Sequence, residues 1–201
     1  MTIPTEDLQK TSPAAKIELF ELELVQNIHY TGTAYPSGSD QGVFRFHNGI
    51  NMNTSVNIIF NTKSYLRIPI EATGFEKQSS NKSTPRPTLR LSNVFSSVTS
   101  IMQKVNETTP RNDLSLAKFT RKTTLVKYLD ANNFDSSSPE IAVTSPPQLY
   151  PDEIYFIERK VQETQDLVEF ELRSALDFGN KRIPSRIVTR KDFPTVGGFA
   201  I

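Results

Sequence analysis

The sequence predicts a mainly β protein of the α+β class: an antiparallel sheet or barrel of the hub type, with one amphipathic helix packed on it and extended loops and tails. Three observations carry this. Most periodic segments alternate apolar and polar residues with the period of two that a half-buried strand requires. Only one segment repeats at the helical period. The stretches between them are rich in Ser, Pro and Asn, which favour turns over continued ladders.

In LFELELV (19–25), Phe20, Leu22 and Leu24 fall on one side and Glu21 and Glu23 on the other, because successive strand side chains point to opposite faces. An antiparallel strand with one wet face is expected there. GVFRFH (42–47) and SVNIIFN (55–61) read the same way. YLRIPIEATGF (65–75) reads as one further strand, with Leu66, Ile68 and Ile70 alternating with Arg67, Pro69 and Glu71. Pro69 has no N–H to give a ladder, so that strand is expected at an edge or bulged.

After the polar loop EKQSSNKSTPRP, the residues TLRLS form a brief strand, and a helix follows over about 93–106. Val94, Phe95, Val98, Ile101, Met102 and Val105 make a single apolar stripe that must lie on something apolar, most simply the sheet. Ser92 or Asn93 is a ready N-cap, and Pro110 bars continuation. AKFTRKTTLVKYLD (117–130) and EIYFIERKVQE (153–163) read as long strands, the second pairing with LVEFELR (167–173) across the turn TQD. Between the long strands, ANNFDSSSPEIAVTSPPQLYPD has no periodicity and reads as an arm or surface loop. The organisation expected is a tail over 1–15, one β-rich domain over 16–190 and a second tail over 191–201.

At 201 residues the chain can bury a sizeable core. With no cysteine it has no disulfide, thiolate metal site or Cys nucleophile, and redox compartment cannot be read from it. Twenty-three Lys and Arg against twenty-two Asp and Glu leave a net charge of +1, too little to draw nucleic acid or an anionic membrane by a global field. No apolar run approaches the roughly 18 residues that span a bilayer, and MTIPTEDLQKTSPAAK lacks the basic-then-apolar layout of a signal peptide. Synthesis in a cytoplasm, without signal-directed export, is expected, and the N-x-S/T matches at Asn53, Asn81 and Asn106 then carry no meaning.

Catalytic patterns are sparse. His29 and His47 have no partner at the spacing of a compact metal site, which needs three or four converging ligands, and both read as ordinary structural or surface residues. No serine sits in a G-x-S-x-G elbow, and no glycine-rich loop cradles a phosphate. Paired carboxylates about 5–10 Å apart serve glycoside hydrolysis. Glu21 with Glu23, Glu169 with Glu171, and Asp130 with Asp135 can be written that way, but strand alternation already explains the first two as a solvated face. A basic cluster of Lys77, Lys82, Arg86 and Arg90, with Lys118, Arg121, Lys122 and Lys127 later, reads either as solvated surface charge or as a contact for phosphates or an acidic neighbour. Arg86 stands between Pro85 and Pro87, whose fixed φ holds it in a stiff extended stretch. That is either a rigid strand lead-in or an arginine presented, already ordered, to a partner chain or to a buried carboxylate.

GFEKQSSNKSTPRPTLRLSNVFSSVTSIM resembles a segment of the minor tail protein L family of long-tailed bacteriophages, in which a glycine, a polar loop, R-P-x-L-x-[LV]-S-N and an amphipathic helix occur in that order. RKTTLVKYLDANNF (121–134) is similar to the family's basic strand ending in L-D-x-x-N-F. VEFELRSALDFGNKRIPSRIV (168–188) is similar to its late strand and Pro-x-Arg, and IELFELEL is similar near the start. The resemblance implies a structural, non-enzymatic virion protein of the tail tip or baseplate hub, needed for tail assembly. It implies partners in the distal tail ring, the central hub or fibre protein and the tail tube. It also implies a homo-oligomer of threefold or sixfold symmetry around the DNA channel, with transient contact with passing DNA and none with membrane. The virion tail tip is its expected place, and the host cytoplasm before assembly. Interface candidates on this reading are Lys77, Lys82, Arg86, Arg90, Arg121, Lys122, Asp130 and Asn133.

One departure stands out. Family members carry a Cys-rich C-terminal segment that ligates an iron–sulfur cluster, whereas here IPSRIV leads almost directly to FPTVGGFAI and no cysteine is present, so no cofactor is expected. Two other readings compete: a β-sandwich receptor- or glycan-binding module at the tail end, which the lack of Trp disfavours, and a carboxylate hydrolase acting on cell wall.

Overall fold

The computed structural model describes residues 9–12, 14–48, 57–75, 86–93, 97–134, 148–175, 177, 188–189 and 193–194. Its elements are β1 (Lys16–Glu23), β2 (Val43–His47), β3 (Ile58–Phe60), β4 (Lys63–Arg67), β5 (Ile70–Thr73), β6 (Thr88–Ser92), α1 (Ser97–Thr108), β7 (Lys118–Leu125), β8 (Glu153–Glu163) and β9 (Leu167–Ser174). The strands form one sheet in the order β3-β4-β2-β1-β7-β8-β9-β6-β5. Every pairing is antiparallel except β2 with β4, which is parallel. The sheet is open, so the barrel alternative is corrected, and a single sheet replaces any sandwich.

The expected strand over 65–75 is in fact two. β4 stands second in the sheet and β5 last, yet only Ile68 and Pro69 separate them. Three Cα steps cover at most about 11 Å, so the sheet must curl until its two halves meet at this link. Ile68 N–H donates to the His47 carbonyl at 3.2 Å on one side, and Ser92 N–H to the Pro69 carbonyl at 2.9 Å on the other. Pro69, without a donor, is where the ladder breaks. The alternation itself runs on across the break: Leu66, in register with Phe46, takes the core face as expected but is left 51% exposed there, Ile70 is buried in the core, and Tyr65 is buried on the opposite face.

The main core lies inside the curl. Phe20, Leu22 and Leu24 of β1 and its extension meet Phe44 and Phe46, Phe119, Ile157, Leu89 and Leu91, and the fully buried Val168, Phe170 and Leu172. Helix α1 covers one side with Val98, Met102 and Val105, the expected stripe; Val94 and Phe95 lie outside the described residues. The described helix thus runs Ser97–Thr108, where about 93–106 was expected. Asn93 is a cap of a different kind from the one expected. Its Oδ1 accepts Thr99 N–H at 3.3 Å, and its Nδ2 donates to the Thr164 carbonyl at 3.2 Å, tying the first helical turn to the β8–β9 hairpin. Ser92 belongs to β6.

The far face of β1 is not simply wet. Leu19, Ile58, Phe60, Tyr65, Leu129 and Leu149 form a second core there, because the β3–β4 hairpin and the turns after β7 fold over it. For the same reason the strand expected over 117–130 ends at Leu125 and gives way to 3-10 turns at Val126–Tyr128 and Ala131–Asn133.

Both histidines are buried. His29 Nδ1 accepts Val25 N–H at 2.8 Å and Nε2 lies 2.8 Å from the Ser115 carbonyl, which makes Nε2 the protonated nitrogen. Burial pushes the imidazole below its ordinary value, against the raising effect of the Ser115 and Asn112 hydrogen bonds. His29 thereby fastens the segment between α1 and β7, in which Arg111, Asp113, Leu114 and Leu116 all have left-handed φ.

Candidate intersubunit interface

Arg86 enters β6 through a backbone that has little freedom. Pro87 follows it, the Pro87 carbonyl accepts Leu172 N–H at 2.8 Å, and the neighbouring chain at Gly74 approaches so closely that a Cβ there would meet Pro87 Cα at 3.3 Å. The guanidinium lies 3.3 Å from Glu171 Oε1 and 3.6 Å from Glu158 Oε2, with over half of the side chain exposed. Arg90 bridges Glu71 at 3.3 Å and Glu169 at 3.1 Å, its register neighbours on β5 and β9. Lys77 and Lys82 lie outside the described residues.

Arg121 and Lys122 are adjacent on β7 and therefore occupy opposite faces. Arg121 points to the inner side, where it closes the end of the core: Nη2 meets Glu18 Oε1 at 2.5 Å, Nη1 meets Glu153 Oε2 at 3.0 Å, and the guanidinium lies 5.0 Å from the Phe75 ring centroid. Burial alone would lower its pKa, but the two carboxylates raise it. Lys122 sits on the outer side at 3.0 Å from Glu21 Oε2. Glu21 also accepts the Tyr65 hydroxyl at 2.7 Å. Burial raises the Glu21 carboxyl, yet Tyr65 and Lys122 outweigh it and hold the group below the usual carboxylate range.

Asp130 and Asn133 work within the chain. Asp130 accepts Asn61 N–H at 2.9 Å and Thr62 N–H at 2.8 Å, the two central residues of the β3–β4 turn. Asn133, buried, accepts Ile59 N–H at 2.7 Å and donates to the Ile59 carbonyl at 2.5 Å. A side-chain amide thus takes the place of a neighbouring strand along the β3 edge, which would otherwise be open for pairing. Leu129 and Phe134 pack into the second core on either side. The motif L-D-x-x-N-F is, in physical terms, a clip for the edge hairpin.

The model of the family described as Phage minor tail protein L matches residues 37–195. The chain belongs to that family. The match takes in β2 through β9 and all eight candidate positions. Membership makes this a structural component of the virion tail, in contact with other tail components. The iron–sulfur cluster implied by the resemblance does not fit this minor tail protein, since the chain offers no thiolate ligand.

For this minor tail protein, the structure brings Arg86 and Arg90 to one sheet face, separates Arg121 from Lys122, and spends Asp130 and Asn133 on folding. It adds residues to the Arg86 face that the sequence reading left out: Glu158, Arg159 and Arg173. Alternation on β8 would place Glu158 and Arg159 on opposite sides. A bulge between Ile157 and Arg159 in the pairing with β9 brings both to the outer face, and no sequence signal marks it. The carboxylates weighed for hydrolysis are held by cations: Glu21 by Lys122, Glu23 by Lys118 at 2.9 Å, Glu169 by Arg90, and Glu171 by Arg159 at 2.7 Å. Asp130 is engaged by the β3–β4 turn, and Asp135 lies outside the described residues. Among the described residues, no group of three His, Cys, Asp or Glu side chains could hold a metal ion, and no helix is long and apolar enough to cross a membrane.

Proposed function

We propose that this minor tail protein is a structural subunit of the tail tip or baseplate hub, joining the distal tail ring to the central hub or fibre around the DNA channel, as a ring of threefold or sixfold symmetry. The family match over residues 37–195 carries this reading. A single curled sheet with a covered β3 edge, and charged faces rigidly tied by cross-strand ion pairs, suits a part whose work is shape and contact. Arg86 and Arg90 are the contact residues we carry forward, with Lys77 and Lys82 beside them in sequence.

Contact with passing DNA finds less support. Lys118, Arg121 and Lys122, the basic set of β7, are each matched by Glu23, Glu18 and Glu153, or Glu21, and on two different faces. Such pairs leave few counterions for a phosphate backbone to release.

Genetic removal tests the reading. A phage carrying this chain, with its gene silenced, should yield filled heads without functional tails, and the chain supplied in trans should restore them. Infectious particles of normal tail length without the chain would overturn the proposal. Light scattering of the purified chain then reads its copy number, three or six being expected.

A further inference from the structure

The outer face of β5, β6, β9 and β8 carries eight charges in a tight lattice. Glu71, Arg90 and Glu169 form one row in register, with Gln162 of β8 at its end. In the next row Glu171 holds Arg159 Nε at 2.7 Å and Arg86 Nη1 at 3.3 Å. Glu158, at 3.6 Å from Arg86 and 3.7 Å from Arg173, completes the set. The lattice is layered. Arg159, Arg86 and Arg90 have side chains 70%, 56% and 46% exposed, whereas Glu158, Glu169 and Glu171 are 22%, 17% and 17% exposed. On the β8–β9 side three carboxylates thus lie beneath three guanidinium groups, while Glu71 at the β5 edge is 60% exposed and Arg173 is 27% exposed.

The layering fixes each arginine without using it up. Arg159 is held through Nε, Arg86 through Nη1, and Arg90 through Nε and Nη1. Among the described residues, both terminal nitrogens of Arg159, Nη2 of Arg90, and Nε and Nη2 of Arg86 make no hydrogen bond. A guanidinium already oriented loses less entropy when it meets a planar oxyanion, and its fork suits bidentate pairing.

We propose that this face docks a carboxylate-bearing surface of a neighbouring protein chain in the tail, with Arg86, Arg90 and Arg159 as the pre-oriented donors. This rests on the reading of Arg86 and Arg90 as contact residues and adds Arg159, the face and the partner's chemistry. A protein carboxylate fits better than nucleic acid. Arg86, Arg90, Arg159 and Arg173 are balanced one for one by Glu71, Glu158, Glu169 and Glu171, so the face has no net charge to attract a polyanion at long range. Single carboxylates set among the guanidinium tips gain short-range pairing instead. The same face of a second copy is the poorer partner, because it offers one well-exposed carboxylate, Glu71, against three exposed guanidinium groups.

Because the native chain has no cysteine, a thiol-directed photo-crosslinker on Gln162→Cys reports this face alone, and one on Gln103→Cys of α1 serves as the control for presence in the tail. In assembled tails, the Gln162 probe should cross-link to another tail protein within a segment containing Asp or Glu. The yield should fall at least about tenfold with Arg86→Glu, Arg90→Glu and Arg159→Glu combined, and less with all three changed to Lys, which keeps charge and loses the fork. Melting and circular dichroism check that these chains fold; should the triple variant not fold, Arg159→Gln, the most exposed of the three, replaces it. Cross-links to DNA, to the same face of a second copy, or an unchanged yield in the variants overturn the docking while the control keeps the chain in the tail. A chain missing from purified tails overturns the underlying reading as well, and immunoblotting distinguishes the two cases.

Discussion

The carboxamide of Asn133 closes on both backbone groups of Ile59, accepting its N–H at 2.7 Å and donating to its carbonyl at 2.5 Å. Nδ2 also donates to the Asp130 carbonyl at 2.7 Å, so one buried side chain joins the β3 edge to the turn that crosses it. Asn133→Ala should cost about 2–3 kcal/mol, because the Ile59 groups lose partners that water cannot fully replace. Asp130→Ala, at an exposed turn, should cost about 1 kcal/mol. Urea unfolding of the two variants checks the order; an Asn133→Ala chain as stable as the parent would show that the carboxamide does not clip the β3 edge.

The turn held by Asp130 should be improvable. Asn61 and Thr62 have φ of 50° and 63°, left-handed values at both central positions of a two-residue hairpin turn. A β-branched residue fits that conformation poorly, and Asn-Gly fits it well. Thr62→Gly should stabilise the chain by about 1 kcal/mol, since relief of strain outweighs the added freedom of the unfolded chain. A lowered unfolding midpoint would show that the Thr62 hydroxyl, 2.6 Å from the Asn61 carbonyl, matters more than the backbone.

His29 predicts a particular pH dependence. Its folded pKa lies below its ordinary 6.5, so between the two values the unfolded chain binds a proton that the folded chain refuses. Its contribution is therefore complete above pH 6.5 and is lost as pH falls through that window, by at most about 1.4 kcal/mol per pH unit. The carboxylates with lowered values, Glu21, Glu163 and Glu171 from 4.5 and Asp113 from 3.8, lose their contribution as pH falls below those ordinary values, outside the range from pH 7 to 5. Unfolding midpoints between pH 7 and 5 should fall for the parent and stay level for His29→Gln. Equal slopes would assign the loss to other groups.

Much of the fold is legible in the residues. Phe20, Leu22 and Leu24, or Val168, Phe170 and Leu172, declare their strands because period two has one solution when one face is buried. The β8–β9 hairpin and the α1 stripe follow equally from local pattern. The β4–β5 break was hidden, because YLRIPI keeps its alternation across Pro69 while the partners on either side belong to opposite ends of the sheet. The Arg86 face was half legible. Arg86 and Arg90 stand out beside prolines and in alternation, but Arg159 and Glu158 join them only through a bulge that depends on tertiary pairing. The motif L-D-x-x-N-F marks Asp130 and Asn133, and only the folded chain shows that they bond the β3 edge and its turn.

Arg86→Ala separates folding from assembly. The side chain is more than half exposed and its pairs with Glu171 and Glu158 are long, so the isolated chain should lose less than about 1 kcal/mol. Tail assembly in a complementation test should nevertheless drop. A chain that unfolds on this change would place Arg86 in the framework of the fold and not at a contact.

The most direct measurement is the position of this chain in the virion. Gln103, exposed on α1, can be changed to the chain's single cysteine and tagged with a gold cluster, then located by electron microscopy of purified particles. A structural tail-tip subunit puts the label at the distal end of the tail, below the tube, with three or six copies around the axis. Label on the capsid, along the tube or absent from the particle would contradict it.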